Sequence, residues 1–158
     1  MNEIKIRRAE EKDINSVNKL LFQVNAVHQK GRPDLFIEGG KKYDDEQLSA
    51  IFSDDNTPVL VAIDDEQVVG YAFCILQQPQ PGHSKQPIKT LYIDDLCVDA
   101  ECRGKHIGTL LYNAVINMAR QMNCYNITLN VWTCNPSAIG FYEHLGLKPQ
   151  KIGMEAIL

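Results

Sequence analysis

From Leu91 to Leu111 the chain reads LYIDDLCVDAECRGKHIGTLL. An apolar, β-branched run gives way to a short basic turn with glycines, and the turn runs into residues at helical spacing. That order favours a strand, a tight turn and a helix whose N-terminus faces the turn. The first turn of a helix carries backbone N–H groups with no internal partner, and the positive end of the macrodipole. A turn made of Arg103, Gly104, Lys105, His106, Ile107 and Gly108 can fold such groups around a phosphate or diphosphate. The common nucleotide signatures are absent: there is no G-x-x-x-x-G-K-[ST] and no G-x-G-x-x-G. The plain alternative is a surface turn with solvated charges and glycines that serve only backbone geometry.

The basic residues of the turn stand out against a formal net charge of −4 over 158 residues. That balance argues against nucleic acid as a partner and for a small anionic ligand held locally. The length suits one domain, residues 1–158, with a core of its own. The five cysteines are an odd number without a C-x-x-C pair. Reduced thiols in the cytoplasm are therefore expected rather than a disulfide framework. The first residues, MNEIKIRRAEEKD, hold no apolar signal region, and no apolar run approaches the length of a membrane span. The four histidines lack metal-ligand spacing, so no metal is expected.

Elsewhere, Glu3 to Arg8 alternates as a strand. Ile14, Val17, Leu20, Leu21, Val24 and Val27 mark an amphipathic helix that ends by Gly31-Arg32-Pro33. Asp44 to Phe52 fits a short helix. Val59 to Ile63 and Val68 to Leu76 read as an antiparallel hairpin. After a Pro/Gly loop, Ile88 to Val98 is a long strand. Ile107, Leu110, Leu111, Ala114, Val115, Met118 and Met122 follow helical spacing. Asn126 to Trp132 is a strand, and Asn135-Pro136 opens a helix that stops at Gly146. Lys148 to Leu158 is expected as a last strand. The order β-α-α-β-β-β-α-β-α-β calls for an α/β fold with a mixed sheet and helices on both faces. The strand–turn–helix–strand unit from Ile88 to Trp132 makes two strands parallel.

VDAECRGKHIGTLL resembles the coenzyme signature of the GCN5-related N-acetyltransferases, Arg/Gln-x-x-Gly-x-Gly/Ala, on Arg103 to Gly108. His106 stands in place of the pattern's first glycine, and a side chain there is expected to require a negative φ. NPSAIGFYEHLGLKP, from Asn135 to Pro149, is similar to a second segment of the same family, and the strand order matches from end to end. The resemblance implies a sheet whose two central parallel strands splay apart around acetyl-CoA. It implies that the backbone of Leu96, Cys97 and Val98 pairs with the pantetheine arm. An N–H near Leu96 would polarise the thioester carbonyl. Backbone N–H groups from Arg103 to Thr109 (Gly104, Lys105, His106, Ile107 and Gly108 between them) would hold the pyrophosphate. Asn135 would reach the coenzyme, and Tyr142 would protonate the leaving thiolate.

A protonated amine needs a base before it can attack. Asp94 and Asp95 are the candidates, since carboxylates in an apolar strand are costly unless paired or lining a cleft. Strand alternation places them on opposite faces, Asp94 with Leu96 and Val98, Asp95 with Ile93 and Cys97. YIDDLCV also resembles the acidic strand of diamine acetyltransferases, where such acids face the amine. By the same resemblance the acceptor pocket lies near HQKGRPDLF, with His28, Arg32, Asp34 and Phe36 as candidate contacts; a helix stop with solvated charges would explain them equally well. Cys97 lacks the partners of a nucleophile and reads as packing.

The expectation is an acetyl-CoA-dependent N-acetyltransferase that transfers the acetyl group directly to a primary amine, with a small cationic amine favoured. The alternatives are a protein or peptide N-acetyltransferase with a longer groove, and a non-catalytic acyl-CoA sensor of the same fold. A homodimer through the apolar last strand would fit the family pattern.

Overall fold

The computed structural model describes residues 3–158. Five strands form one mixed sheet in the order β1-β2-β3-β4-β5. They are β1 (Lys5–Arg8), β2 (Val59–Asp64), β3 (Gln67–Gln77), β4 (Thr90–Val98) and β5 (Asn126–Leu129). Four helices complete the order: α1 (Ile14–Gly31), α2 (Asp45–Ser53), α3 (Ile107–Gln121) and α4 (Pro136–His144). The first four strands pair antiparallel, and β4 and β5 pair in parallel.

Both faces of the sheet are covered, as the alternation of the strands requires. Leu60, Ala62 and Ala72 meet Ile107, Leu111 and Val115 of α3 on one face. Val59, Val61, Tyr71 and Phe73 meet Val17, Leu20 and Leu21 of α1 and Leu48 of α2 on the other. Helix α2 begins with a capping box, in which the Asp44 carboxylate accepts from the Gln47 N–H and the Gln47 side chain accepts from the Asp44 N–H. The β2–β3 turn is tighter than the sequence suggests. Asp64 and Gln67 pair with each other, and only Asp65 and Glu66 turn, both at positive φ, as a two-residue hairpin of this twist demands.

Two features of β4 shape the rest. Its register against β3 shifts between Phe73 and Cys74: Phe73 faces Asp95, and Cys74 faces Ile93. Asp94 is thus the extra residue of a β-bulge. The second feature is an early end to parallel pairing. β5 accompanies β4 only from Thr90 to Ile93, and β4 runs on alone to Val98 on that side. The expected splay between the parallel strands is this gap.

The chain does not form the expected last strand. Residues 148–158 carry no regular structure, and residues 149–158 are exposed. The sheet therefore ends at β5, which is an edge strand and not a central one. An extended apolar segment becomes a strand only when a neighbouring edge pairs its N–H and C=O groups. Here Glu155 is instead clasped by Arg32, whose Nη1 donates to its carboxylate at 2.5 Å. β1 and β5 are also shorter than expected, starting at Lys5 and ending at Leu129.

Candidate active site

The bulge corrects the expectation that Asp94 and Asp95 point to opposite faces. Leu91 and Ile93 pack with α3, but Cys97 packs with α1, so alternation changes phase between them. Both acids end up bonded to residues of the α1/α2 face. The Tyr43 hydroxyl donates to Asp94 at 2.6 Å, and the Tyr71 hydroxyl donates to Asp95 at 2.7 Å. Phe73 lies between the two tyrosines, stacked on Tyr43 at 5.6 Å and edge-on to Tyr71 at 4.9 Å. Lys42 Nζ adds an ion pair to Asp94 at 2.9 Å.

The two acids differ in their surroundings. Burial pushes the Asp95 carboxyl up to about 6, against the opposing pull of the Tyr71 hydroxyl and the Lys42 charge. A carboxylate with that value can take a proton near neutral pH and give it up again. Asp94 has a hydroxyl and an ammonium on its two oxygens. Its side chain also lines a small pocket with Tyr43, Phe73 and Ile75.

Tyr142, on α4, is raised above the ordinary tyrosine range by burial and then by the negative charge of Asp95. Its hydroxyl makes no hydrogen bond among the described residues. The phenol is therefore neutral and can donate a hydrogen bond. Cys97 faces α1 and donates weakly to the Leu20 carbonyl; burial pushes its thiol up to about 12, consistent with packing. Leu96 and Val98 lean on the opposite, α3 side of the sheet.

Past Val98 the chain makes the turn that the sequence singled out. Asp99 accepts from the Glu101 N–H and starts a 3₁₀ turn, Ala100–Cys102. Gly104 has φ +91 and His106 φ +59. The expectation of a negative φ at position 106 is therefore wrong: the histidine takes the left-handed conformation that the pattern's glycine would have. Histidine visits that region more often than most residues, at a cost of about 1–2 kcal/mol. Among the described residues, no backbone N–H from Arg103 to Thr109 donates to a protein acceptor. Successive free N–H groups in alternating turn conformations at the head of a 15-residue helix form an anion nest. The donor set suits a diphosphate. Thr109 lies on the first turn of α3, Arg103 is exposed without an ion pair among the described residues, and Lys105 reaches Asp64 at 3.2 Å. Gly108 is needed for packing, since a Cβ there would lie 3.1 Å from Phe141 Cζ of α4.

Asn135 caps α4 by accepting from the Ala138 N–H at 3.2 Å, which leaves its amide NH₂ free to donate. Of the four acceptor candidates, the structure gathers only two. His28 and Phe36 rings lie 5.0 Å apart, and Trp132 meets Phe36 edge-on at 5.4 Å. Burial and the Lys42 charge lower the His28 pKa, so this ring is neutral at neutral pH. Arg32 and Asp34 pair with each other at 2.8 Å, and the same guanidinium holds Glu155.

Several contributors escaped the sequence reading. Asp99 is buried, and it accepts from Lys19 Nζ at 3.2 Å and Gln23 Nε2 at 3.4 Å. Gln23 Oε1 in turn accepts from the Ala100 N–H at 3.2 Å. Helix α1 thereby holds the anion turn. The Asp-x-Glu start of that turn is a local capping signal that could have revealed Asp99. Tyr43, Tyr71 and Lys42 carried no local signal, because they meet the acids only through the sheet and the α1–α2 loop. Among the described residues no group of three His, Cys, Asp or Glu side chains is placed to hold a metal ion.

A strand that parts from its parallel neighbour, an acid pair beside the gap and an anion nest beyond it are features of the acetyltransferase class of fold. The chain belongs to the Acetyltransferase (GNAT) family, whose profile matches residues 24–147. It is similar over its whole length to a crystal structure of a mutant of the BH1408 protein from Bacillus halodurans. The two are 34% identical with a TM-score of 0.94, covering 98% of this chain and 99% of that one. An aminoglycoside acetyltransferase from an uncultured soil metagenomic sample, solved with sisomicin, shares the fold at 20% identity and a TM-score of 0.74, over 98% and 96% of the two chains. Among curated proteins, glucosamine 6-phosphate N-acetyltransferase 1 of Oryza sativa subsp. japonica is 30% identical over 63 residues. That match spans 40% of this chain and 36% of the relative.

Proposed function

We propose that the chain transfers an acetyl group from acetyl-CoA to the primary amine of a small cationic acceptor, within a ternary complex. The observation that carries this reading is the pairing across one gap of an empty N–H nest and a carboxyl poised near 6. The nest of Arg103 to Thr109 would hold the pyrophosphate, and Asn135 would donate to the coenzyme. The β4 edge from Leu96 to Val98 has no β5 partner, so it can pair with an extended arm. Asp95 would take a proton from the acceptor ammonium, directly or through water. Tyr142 would return a proton to the departing sulfur. Positioning and polarisation of the carbonyl by backbone N–H groups near Leu96 supply the rest.

On the acceptor side the reading draws on the aromatic cluster of His28, Phe36 and Trp132 and on the two acids, with Lys42 between them: it pairs with Asp94 and its charge acts on His28. Aromatic rings and carboxylates together suit a ring that carries an amine, and the relatives named for glucosamine phosphate and aminoglycosides point to amino sugars. A calorimetric titration with acetyl-CoA, run beside a thiol-release assay over a panel of amino sugars, polyamines and peptide amines, tests this. Release with a small amine supports it. Tight coenzyme binding without release on any amine would replace it with a sensor, and release with peptides alone with a protein acetyltransferase.

The chain is read as one domain working in the cytoplasm, where its free thiols stay reduced. A homodimer fits the tail: Ile152, Met154, Ile157 and Leu158 are exposed, and the outer edge of β5 is unpaired. Light scattering with and without a Met154→Glu substitution decides it, with a monomer in both cases ruling the dimer out.

A further inference from the structure

The amine nearest to the acid pair belongs to the protein itself. Lys42 Nζ sits 2.9 Å from Asp94 Oδ1, on the bulge of β4. The other ion-paired lysines are engaged away from the acid pair: Lys12 with Glu10, Lys19 with Asp99, Lys41 with Asp45, and Lys105 with Asp64. Lys42 lies in the stretch between α1 and α2, beside Tyr43, whose ring centroid is 5.6 Å from Nζ. Both ends of that stretch are fixed by helices packed on the sheet. Its side chain is still 44% exposed, so solvent reaches it. It has the chemistry of an acceptor, a primary ammonium on a flexible stem, and its charge acts on both Asp95 and His28. A reactant tethered in this way reaches effective concentrations that no free amine attains.

We propose that Lys42 is a self-acetylation site, with its ammonium occupying the acceptor position when no external amine is bound. The inference rests on the proposed acetyl-CoA-dependent function of the same site. In the reaction Lys42 gives one proton to the acid pair, and its free nitrogen pair forms a bond to the acetyl carbonyl carbon. The carbon–sulfur bond then breaks, the sulfur leaves as thiolate and takes a proton from Tyr142, the acid pair's proton restores Tyr142 through water, and the second nitrogen proton passes to solvent. One thioester and one ammonium yield one amide, one thiol and one proton. The product amide carries no charge, so Asp94 loses its ion pair and the acceptor position is filled by a neutral stem. Self-acetylation therefore closes the site, and an abundant external amine protects it.

The test is peptide mass mapping of the full chain after incubation with isotopically labelled acetyl-CoA and no acceptor. Lys42 is expected to gain one acetyl group at least about tenfold faster than Lys12, Lys41 or Lys105, as proton transfer by a positioned group would give. The rate per molecule stays constant on dilution of the protein, and Asp95→Asn slows it without slowing labelling of the other lysines. A second readout needs no coenzyme: a small amine-reactive ester labels Lys42 faster in Asp94→Asn, because the ammonium has lost its carboxylate. Labelling of Lys42 no faster than that of the other lysines, a rate that climbs with protein concentration, or indifference to Asp95→Asn overturns the proposal. Thiol release with an external amine, together with a Lys42 that stays free when the amine is left out, overturns it and leaves the proposed function standing. Bound acetyl-CoA with neither outcome overturns both.

Discussion

On either side of Val98 the protein treats its polar groups in opposite ways. Before it, on the bulge, Asp94 and Asp95 are each held by a tyrosine hydroxyl, and Asp94 also by a lysine. After it, the backbone from Arg103 to Thr109 offers N–H groups that nothing among the described residues accepts. Satisfied groups in low dielectric have their protonation tuned by neighbours, whereas unsatisfied donors wait for an acceptor from outside. One half of the site is built to handle a proton and the other to receive an anion. Asp99 joins them: it closes β4, starts the turn, and ties both to Lys19 and Gln23 of α1.

That division can be broken most sharply at Asp95. Asp95→Asn should lower kcat by about 10²–10⁴-fold, while calorimetry finds the acetyl-CoA affinity unchanged. A matching loss of affinity would mean that the two halves are not separate. The pH dependence sharpens the same point. Burial raises the Asp95 pKa to about 6, so the carboxylate needed for proton transfer appears only as pH rises through that value. The rate at limiting amine should fall on the acid side with that midpoint, and the limb should vanish in the asparagine variant. Stability moves the other way, because a raised carboxyl pKa favours folding below its ordinary value and loses that contribution as pH climbs through about 6. Thermal melts of the wild type compared with Asp95→Asn across this window show whether the variant escapes the loss.

Asp99→Asn probes the joint. It should raise the KM for acetyl-CoA by about tenfold, ~1.4 kcal/mol, by loosening charge-assisted contacts to α1, with kcat nearly kept. An equal fall in kcat would show that the turn also positions the acids. The smallest effect is expected at His106. A glycine relieves the left-handed strain of about 1–2 kcal/mol and gives back part of it as chain entropy. Denaturant unfolding should find His106→Gly more stable by about 0.5 kcal/mol; a destabilised variant would mean that the histidine side chain makes a compensating contact.

Much of this layout could be read from residue order. The α3 stripe, the Asn135-Pro136 cap and the Gly-bearing turn are local signals, and local signals survive folding. The bulge was not legible: YIDDL contains no glycine or proline to mark an extra residue, and alternation alone separates the two acids. The tyrosines that hold those acids come from the β3 strand and the α1–α2 loop, brought close only by sheet register. The absent last strand failed for another reason. KIGMEAIL is apolar enough for a strand, but strand formation depends on an available edge, a property of the neighbour rather than of the segment.

The bulge also bears on how β4 can change. It works like a shift of reading frame along one strand: residues up to Ile93 are read by one face, and residues from Asp95 by the other. Substitutions on either side leave the frame intact and act one side chain at a time. Loss of Asp94 itself would only remove the extra residue: Ile93 and Asp95 would become neighbours on opposite faces, and both would keep their partners on β3. A single-residue deletion at Leu96, by contrast, would turn Cys97 toward α3 and Val98 toward α1, and would be more damaging than any exchange of side chains there. Past the bulge, the strand's length is therefore constrained more tightly than the identity of most residues along it.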